Sequence, residues 1–460
     1  MIKIPDEVRT ILQALEAKGH EAYVVGGCVR DSLLGLTPHD WDICTSAFPQ
    51  ETAACLPEYR ILETGIRHGT VTVLAGESSY EVTTFRLDGT YSDHRRPDRV
   101  EFVRSLQEDL KRRDFTVNAM AYHPEKGLID LFGGAADLKQ KIIRCVGNPD
   151  RRFEEDALRI LRALRFASVY GFEVEETTAQ AAVCRRALLG SIAAERIRDE
   201  LCKLLCGDGA AVMLQSFTGV FSVFLPELTD LITFSENGFN RPNLWETTLK
   251  SVANVSKEPA LRLAMLLHDI GKPFCFTQEK EGILHFYGHA EKSSALAGTI
   301  LRRLRLDHAS ISRITQLIRL HKIALVPTSI GIRRLLSRIG EESFRQLLEM
   351  KRAELSAQAA HEKSKQLDLL DEVQTTLEQV LAQKPCLRLK DLAVNGRDLL
   401  AAGFPPGIRL GQALQTLLRL VIDGKLENRR DCLIAHSIKE GWIQHEPIQT
   451  ERDADRDGHQ

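Results

Sequence analysis

No stretch of this chain is apolar for long enough to span a bilayer, and its opening residues, Met1-Ile2-Lys3-Ile4-Pro5-Asp6, lack the apolar core of a secretion signal. The expectation is a soluble, cytoplasmic protein. No Cys-x-x-Cys pair occurs among the ten cysteines, so they read as small buried side chains in a reducing compartment. Net charge is also nearly absent: 61 Lys and Arg oppose 63 Asp and Glu, a formal −2. Without a global positive field, any affinity for RNA must come from local patches. What remains is 43% hydrophobic and 27% charged, an ordinary globular composition, spread over 460 residues. That length is too great for one ordinary domain and suggests three or four modules.

The N-terminal third alternates short apolar segments with helical ones. Strands are expected at Tyr23–Val25, Asp42–Cys44, Thr70–Leu74, Tyr80–Phe85 and Val100–Val103, forming a small mixed sheet with helices on one side. From about Arg152 strand signals nearly vanish, and leucine spacing such as Leu158, Leu161, Leu164 marks amphipathic helices. The fold class is therefore α+β, a mixed-sheet head followed by an all-α remainder. The expected modules are a head (1–150), a helical neck and body (151–240), a His-Asp module (241–325) and a helical body and tail (326–440). The polar terminus (441–460) lacks apolar periodicity and reads as disordered.

Gly26–Gly27–Cys28–Val29–Arg30–Asp31 ends one apolar run and opens a helix. Such a turn presents backbone N–H groups to an anion, as a triphosphate requires. A dozen residues on, Asp40 and Asp42 stand two apart in an extended segment ending at Ile43, so their carboxylates project from one face. Carboxylates on one rigid edge suit Mg²⁺, which takes oxygen ligands and shares them with substrate phosphates.

Gly-Gly-x-Val-Arg-Asp followed by Asp-x-Asp-Ile resembles the head of the bacterial class II tRNA nucleotidyltransferases, the CCA-adding enzymes of the polymerase-β superfamily. The resemblance continues through His68–Gly69–Thr70–Val71, Glu81–Val82–Thr83–Thr84–Phe85–Arg86 and Arg112–Arg113–Asp114–Phe115–Thr116–Val117–Asn118–Ala119. It extends through Glu155–Asp156–Ala157–Leu158–Arg159 to Glu195–Arg196–Ile197, covering roughly the first 205 residues. Further on, Asp391–Leu392–Ala393–Val394–Asn395–Gly396–Arg397–Asp398 resembles the tail domain of the same enzymes.

The resemblance implies nucleotidyl transfer to a tRNA 3′-hydroxyl from CTP and ATP, with Asp40 and Asp42 holding two Mg²⁺ ions and Glu81 as the third carboxylate. It implies that Gly27, Arg30 and Arg113, with Arg112 as a neighbour, contact the triphosphate. Asp156 and Arg159, three apart on one helical face, would act as a protein template. A carboxylate accepts from cytosine N4 or adenine N6, and a guanidinium donates to cytosine N3 or adenine N1; uracil and guanine fail both tests. Arg162 and Arg165 follow at three-residue steps and would reach the triphosphate or base. The segment Phe85 to Phe115, with Asp88-Gly89, Tyr91, Asp93 and Arg95–Arg96–Pro97, would be the flexible element that switches specificity from C to A.

A second signal is His268–Asp269 within Leu266–Leu267–His268–Asp269–Ile270–Gly271–Lys272–Pro273. Together with His289 and His321 it is similar to the HD phosphohydrolases, whose His and Asp ligands bind divalent metal. One helix departs from that pattern: Trp245–Glu246–Thr247–Thr248–Leu249 carries Thr247 where the superfamily has a histidine, which weakens the set as a metal site. The leading reading is CCA addition to tRNA, with no membrane partner. A-only addition and polyadenylation are the alternatives within the class. From other classes come an HD phosphohydrolase and a non-catalytic tRNA-binding protein.

Overall fold

The computed structural model describes residues 2–89, 100–236, 243–278, 284–357 and 363–443. The chain divides into two compact units, residues 1–321 and 322–460.

The first unit opens with the sheet. Among the described residues up to Asp130 the strands are β1 (Ala22–Val25), β2 (Asp42–Thr45), β3 (Arg60–Leu62), β4 (Thr70–Ala75), β5 (Ser78–Thr84), β6 (Arg86–Asp88), β7 (Val100–Phe102), β8 (Met120–His123) and β9 (Gly127–Asp130). Seven form one sheet in the order β3-β4-β5-β2-β1-β8-β9, with β6 and β7 pairing separately. Only β2 and β5 are parallel neighbours in that sheet. All five expected strands are present, within a residue or two of their expected ends. Four others carried no clear alternation: β3 is three residues opening on Arg60, and β8 is buried at every position.

Helices do not keep to one side as expected. Every residue of β1 and β8 is buried, so both faces at the sheet's centre are covered. Tyr23 and Val25 pack with Leu106, Leu110 and Phe85, while the Asp6–Glu16 helix, with Val8, Ile11, Leu12 and Leu15 buried, also packs on β1. Burial of each such side chain is worth about 1.5–3 kcal/mol.

Beyond the sheet the first unit is almost entirely helical. The exceptions are a two-residue parallel pairing of Ile142–Ile143 with Glu173–Val174 and a short hairpin at Thr277–Gln278 and Leu284–His285. Helices Pro149–Glu155 and Leu158–Tyr170 follow the head, and Leu158–Tyr170 packs along Ala194–Leu205. Further helices include Leu244–Ala253, Pro259–Leu267, His289–Arg303 and His308–Leu320.

The second unit holds two apolar cores. One joins Ile332, Leu336, Phe344 and Leu348 of the segment Ser329–Ala357 to Val373 and Leu377 of Lys363–Ala382. The long amphipathic pattern expected from Ile330 to Leu381 is thus present, interrupted at Gly340, whose φ of 77° no helix accommodates. The other core gathers Leu399, Leu417 and Leu433 from three shorter helices. All ten cysteines are free, but only Cys28, Cys44, Cys145 and Cys386 are buried, fewer than expected. The polar terminus from 444 onward lies outside the described residues.

Candidate active site

The glycine turn and the carboxylates meet at one end of the sheet because β1 and β2 run antiparallel. Val25 pairs with Asp42, so Gly26 emerges beside the start of β2. The strand begins at Asp42 and runs to Thr45, rather than ending at Ile43; Asp40 precedes it. On the other side Asp42 pairs with Glu81 of β5, which places both side chains on one face. Burial pushes the Asp42 carboxyl above its ordinary range; Arg113 opposes this, while Glu81 and Asp40 add to it. Three carboxylates thus act on one another at this end of the sheet, and hard oxygen donors are the type magnesium takes, although their oxygens are not drawn into one close group as the ligand atoms of Asp269, His289 and His321 are.

Gly26 adopts φ 81°, and its N–H donates to Met120 O at 3.2 Å. A Cβ there would lie 3.1 Å from Arg113 Nη1, so the missing side chain makes room for the guanidinium. Arg113 donates to Asp109 Oδ2 at 3.2 Å, and Arg112 donates to Asp109 Oδ1 at 2.7 Å. Burial works against the Arg113 charge, but Asp109 holds its pKa above the ordinary guanidinium value. Arg113 is therefore a fixed cation between the glycine turn and Asp42, whereas Arg112 turns toward Asp109 and Asp88.

Arg30, expected at the triphosphate, is held by protein groups beside the glycine turn. Its guanidinium donates to Asp31 Oδ1 at 2.9 Å and Asn118 Oδ1 at 2.5 Å, and lies 5.0 and 4.8 Å from the Phe166 and Tyr170 ring centres. With its side chain 8% exposed, it braces the turn onto the neck. Arg162 and Arg165 are likewise engaged. Arg162 Nη2 donates to Asp114 Oδ2 at 2.6 Å, and Arg165 Nε lies 2.6 Å from Glu200 Oε2 while its guanidinium stacks 3.8 Å over Phe166. Burial would raise the Asp114 carboxyl, but Arg162 and Arg159 hold it well below the usual carboxylate range. These arginines pair with buried carboxylates from distant segments, which local spacing does not reveal. A third of the Arg162 side chain still reaches solvent.

Asp156 and Arg159 do not share a helical face. Helix Pro149–Glu155 stops at Asp156, whose φ and ψ of −139° and 103° are extended, and the next helix begins at Leu158. Asp156 Oδ1 accepts from Leu158 N–H at 3.0 Å and so caps the new helix. The same carboxylate takes Arg196 Nη2 at 2.9 Å and Nη1 at 3.4 Å. Arg159 donates to Glu155 Oε2 at 2.7 Å and to the backbone carbonyls of Arg152 and Arg112, each at 3.2 Å. Both members of the expected pair sit at the joint, each with its own partner. Of the expected specificity loop, residues 90–99, including Tyr91, Asp93, Arg95, Arg96 and Pro97, lie outside the described residues; its flanks β6 and β7 pair antiparallel.

The His-Asp residues converge in a separate, buried cluster. His268, His289 and His321 each donate Nδ1–H to the carbonyl three residues earlier, at 2.7, 2.6 and 2.6 Å. A carbonyl only accepts, so in each neutral ring Nε2 carries a lone pair. His289 Nε2 lies 3.3 Å from His321 Nε2, and the two lie 3.6 and 3.8 Å from Asp269 Oδ1. Ligand atoms around a tetrahedral ion with bonds of about 2.1 Å stand about 3.4 Å apart. Asp269, His289 and His321 thus fit one transition-metal ion, and their carbonyl-anchored rings are oriented as metal-bound histidines are. His268 Nε2 and Lys272 Nζ lie 3.3 and 2.6 Å from Asp269 Oδ2. Thr247 is not part of the cluster; its hydroxyl donates to Asn243 O at 3.1 Å on its own helix.

Asp109, Asp114, Asn118, Glu200 and Arg196 escaped the sequence reading as site residues. Asp114, Asn118 and Arg196 lie inside quoted motifs without an assigned role, and only the fold supplies their partners.

Comparison with known proteins gives three family matches: the poly A polymerase head domain over residues 22–144, the family described as tRNA nucleotidyltransferase domain 2 over 274–436, and a model described as an RNA and SrmB binding site of polymerase A over 171–232. The CCA-adding enzyme of Lactiplantibacillus plantarum is 37% identical, covering 93% of this chain and 94% of its own. That of Latilactobacillus sakei is 38% identical, covering 93% and 96%. The Bacillus stearothermophilus CCA-adding enzyme in complex with CTP superposes with a TM-score of 0.68 at 32% identity, over 95% of this chain and 97% of that one.

Proposed function

The chain belongs to the CCA-adding enzymes, and from that membership we propose how its own residues add C, C and A to tRNA 3′ ends from CTP and ATP. The observation that carries the reading is the pairing of Asp42 with Glu81 across β2 and β5, beside Asp40 and within the field of Arg113. Asp40 and Asp42, with Glu81 completing the set, would hold Mg²⁺. When bound, Mg²⁺ supplies positive charge to the reacting phosphate and favours deprotonation of the attacking 3′-hydroxyl. Arg113, fixed by Asp109, offers its charge to the triphosphate next to the Gly26–Gly27 turn. Arg30 holds that turn in place from behind.

Base choice falls to Asp156 and Arg159. The carboxylate accepts the exocyclic amine that C and A share, and the guanidinium donates to the adjacent ring nitrogen. Wrong bases leave both groups unpaired, a penalty that supports discrimination of about four orders of magnitude. Helical modules at 151–240 and 326–440 would grip tRNA through backbone and shape rather than base edges. No described helix is long and apolar enough to cross a membrane, and we assign the enzyme to the cytoplasm with its substrate.

A second divalent ion is proposed at Asp269, His289 and His321, with His268 alongside. Its role would be structural: the cluster is buried, and Thr247 leaves it short of the HD phosphohydrolase set.

Asp42→Ala tests the central assignment. Incorporation of both CTP and ATP should fall below a tenth of wild type while tRNA binding persists. A folded variant that keeps more than that would remove Asp42 from the metal site.

A further inference from the structure

An acceptor and a donor placed three residues apart at a joint are close enough to compete for each other. Asp156 and Arg159 carry opposite charges at one joint, and a direct ion pair between them would consume the groups that a base must meet. The structure shows each held elsewhere: Arg159 by Glu155 and two backbone carbonyls, Asp156 by Arg196. We propose that Arg196 is a positioning residue for base selection, keeping Asp156 off Arg159 and leaving one side of the carboxylate open to the exocyclic amine of C or A. This rests on the reading of Asp156 and Arg159 as the base-contacting pair.

The geometry suits the task. A carboxylate has about four acceptor positions. Leu158 N–H takes one, and the two Arg196 nitrogens take two more. Arg196 comes from the first turn of Ala194–Leu205, a helix separate from the joint, so its hold does not move with the Asp156 backbone. The pair is not sealed in the core: the side chains of Arg196 and Asp156 remain 24% and 16% exposed, so a base can approach. A planar fork fixes the plane of the carboxylate, whereas a lysine ammonium would hold it as a point charge.

The experiment measures kcat and KM for single additions of CTP, ATP, UTP and GTP to tRNA ending at the discriminator base or at CC. The variants are Arg196→Gln, Arg196→Lys and Asp156→Ala, each checked by thermal melting and tRNA binding. For Arg196→Gln, KM for CTP and ATP should rise about tenfold to a hundredfold, the weight of a charge-assisted contact, with kcat changing less. Discrimination against UTP and GTP should fall at least tenfold, and Arg196→Lys should recover part of both effects. If Arg196 merely ties helices together, all four nucleotides lose rate in proportion and their ratios stay constant; that result overturns the proposal. Unchanged ratios in Asp156→Ala would instead bring down the base-pair reading itself. Relaxed ratios in Asp156→Ala with wild-type ratios in both Arg196 variants would overturn the role of Arg196 alone. Should Arg196→Gln fail to fold, Arg196→Lys decides, because wild-type KM and ratios with lysine contradict the need for the fork.

Discussion

Asp42 shows what single residues carry. Burial and two like charges work against its ionised form, and the charge of Arg113 offsets only part of this, so the carboxyl stays above its ordinary range. A carboxylate kept in such surroundings costs stability unless a further cation joins it. In the presence of a chelator, Asp42→Asn should therefore be more stable than wild type at neutral pH, by about 1 kcal/mol. Added Mg²⁺ should erase that difference by stabilising the wild type alone. Thermal melts with and without Mg²⁺ read this directly, and a variant no more stable than wild type in chelator argues against charge crowding. Asp40, Asp42 and Glu81 were legible in the sequence because two of them are near neighbours and the third opens a strand motif. Asp114 gives no sign of its role in the sequence, because its partner Arg162 lies 48 residues away. Arg30 was legible only as a cation of the glycine motif; its contacts with Asn118, Phe166 and Tyr170 come from segments far along the chain and are supplied by the fold.

At the scale of elements, the joint at Asp156 is the main departure from the sequence reading. Glu155 to Arg159 has no proline or glycine, so a continuous helix was the natural expectation. Aspartate also competes with helical hydrogen bonding by capping, and here it ends one helix and starts the next. The neck helix is then fastened to the head by Asp114, which accepts from Arg162, Asn118 and the Phe115 N–H. Its folded-state pKa lies below the unfolded value, so its contribution is present above the ordinary carboxylate pKa near 4 and is lost as pH falls through the folded value. Asp114→Asn should cost about 3 kcal/mol at pH 7, since it removes the charge that Arg162 meets in a largely buried contact. The difference between variant and wild type should shrink as pH drops below about 4. Denaturant midpoints across that range provide the check, and a pH-independent difference would contradict the ion-pair origin. The strands were easier to read where residues alternate, as in β5, than where an element is buried throughout, as in β8.

Across the whole molecule, the residues proposed for nucleotidyl transfer and those of the His-Asp cluster are different sets within the first unit. Replacing His268 and Asp269 together by alanine should leave CCA addition near wild type while lowering the metal content of the purified protein. Little hydrolysis of 2′,3′-cyclic nucleotides or phosphomonoesters is expected with Mn²⁺, Ni²⁺ or Mg²⁺. Vigorous hydrolysis lost in the double variant would make this a two-activity enzyme and overturn the structural role. The convergence of the cluster was only partly legible: the histidines stood out as a set, but Thr247 suggested a weak site, and the close approach of three donors became visible only in the fold. The near-zero net charge carries a lesson of its own, because it places the burden of RNA binding on local surfaces rather than on the field of the chain.

The most direct measurement supplies the wild-type enzyme with tRNAs ending at the discriminator base, at C and at CC, each with one nucleotide at a time and Mg²⁺. The account predicts C on the first two, a single A on the third, and no product from UTP or GTP on any of them. Addition of A alone with no use of CTP, or long A tails on any end, would contradict it.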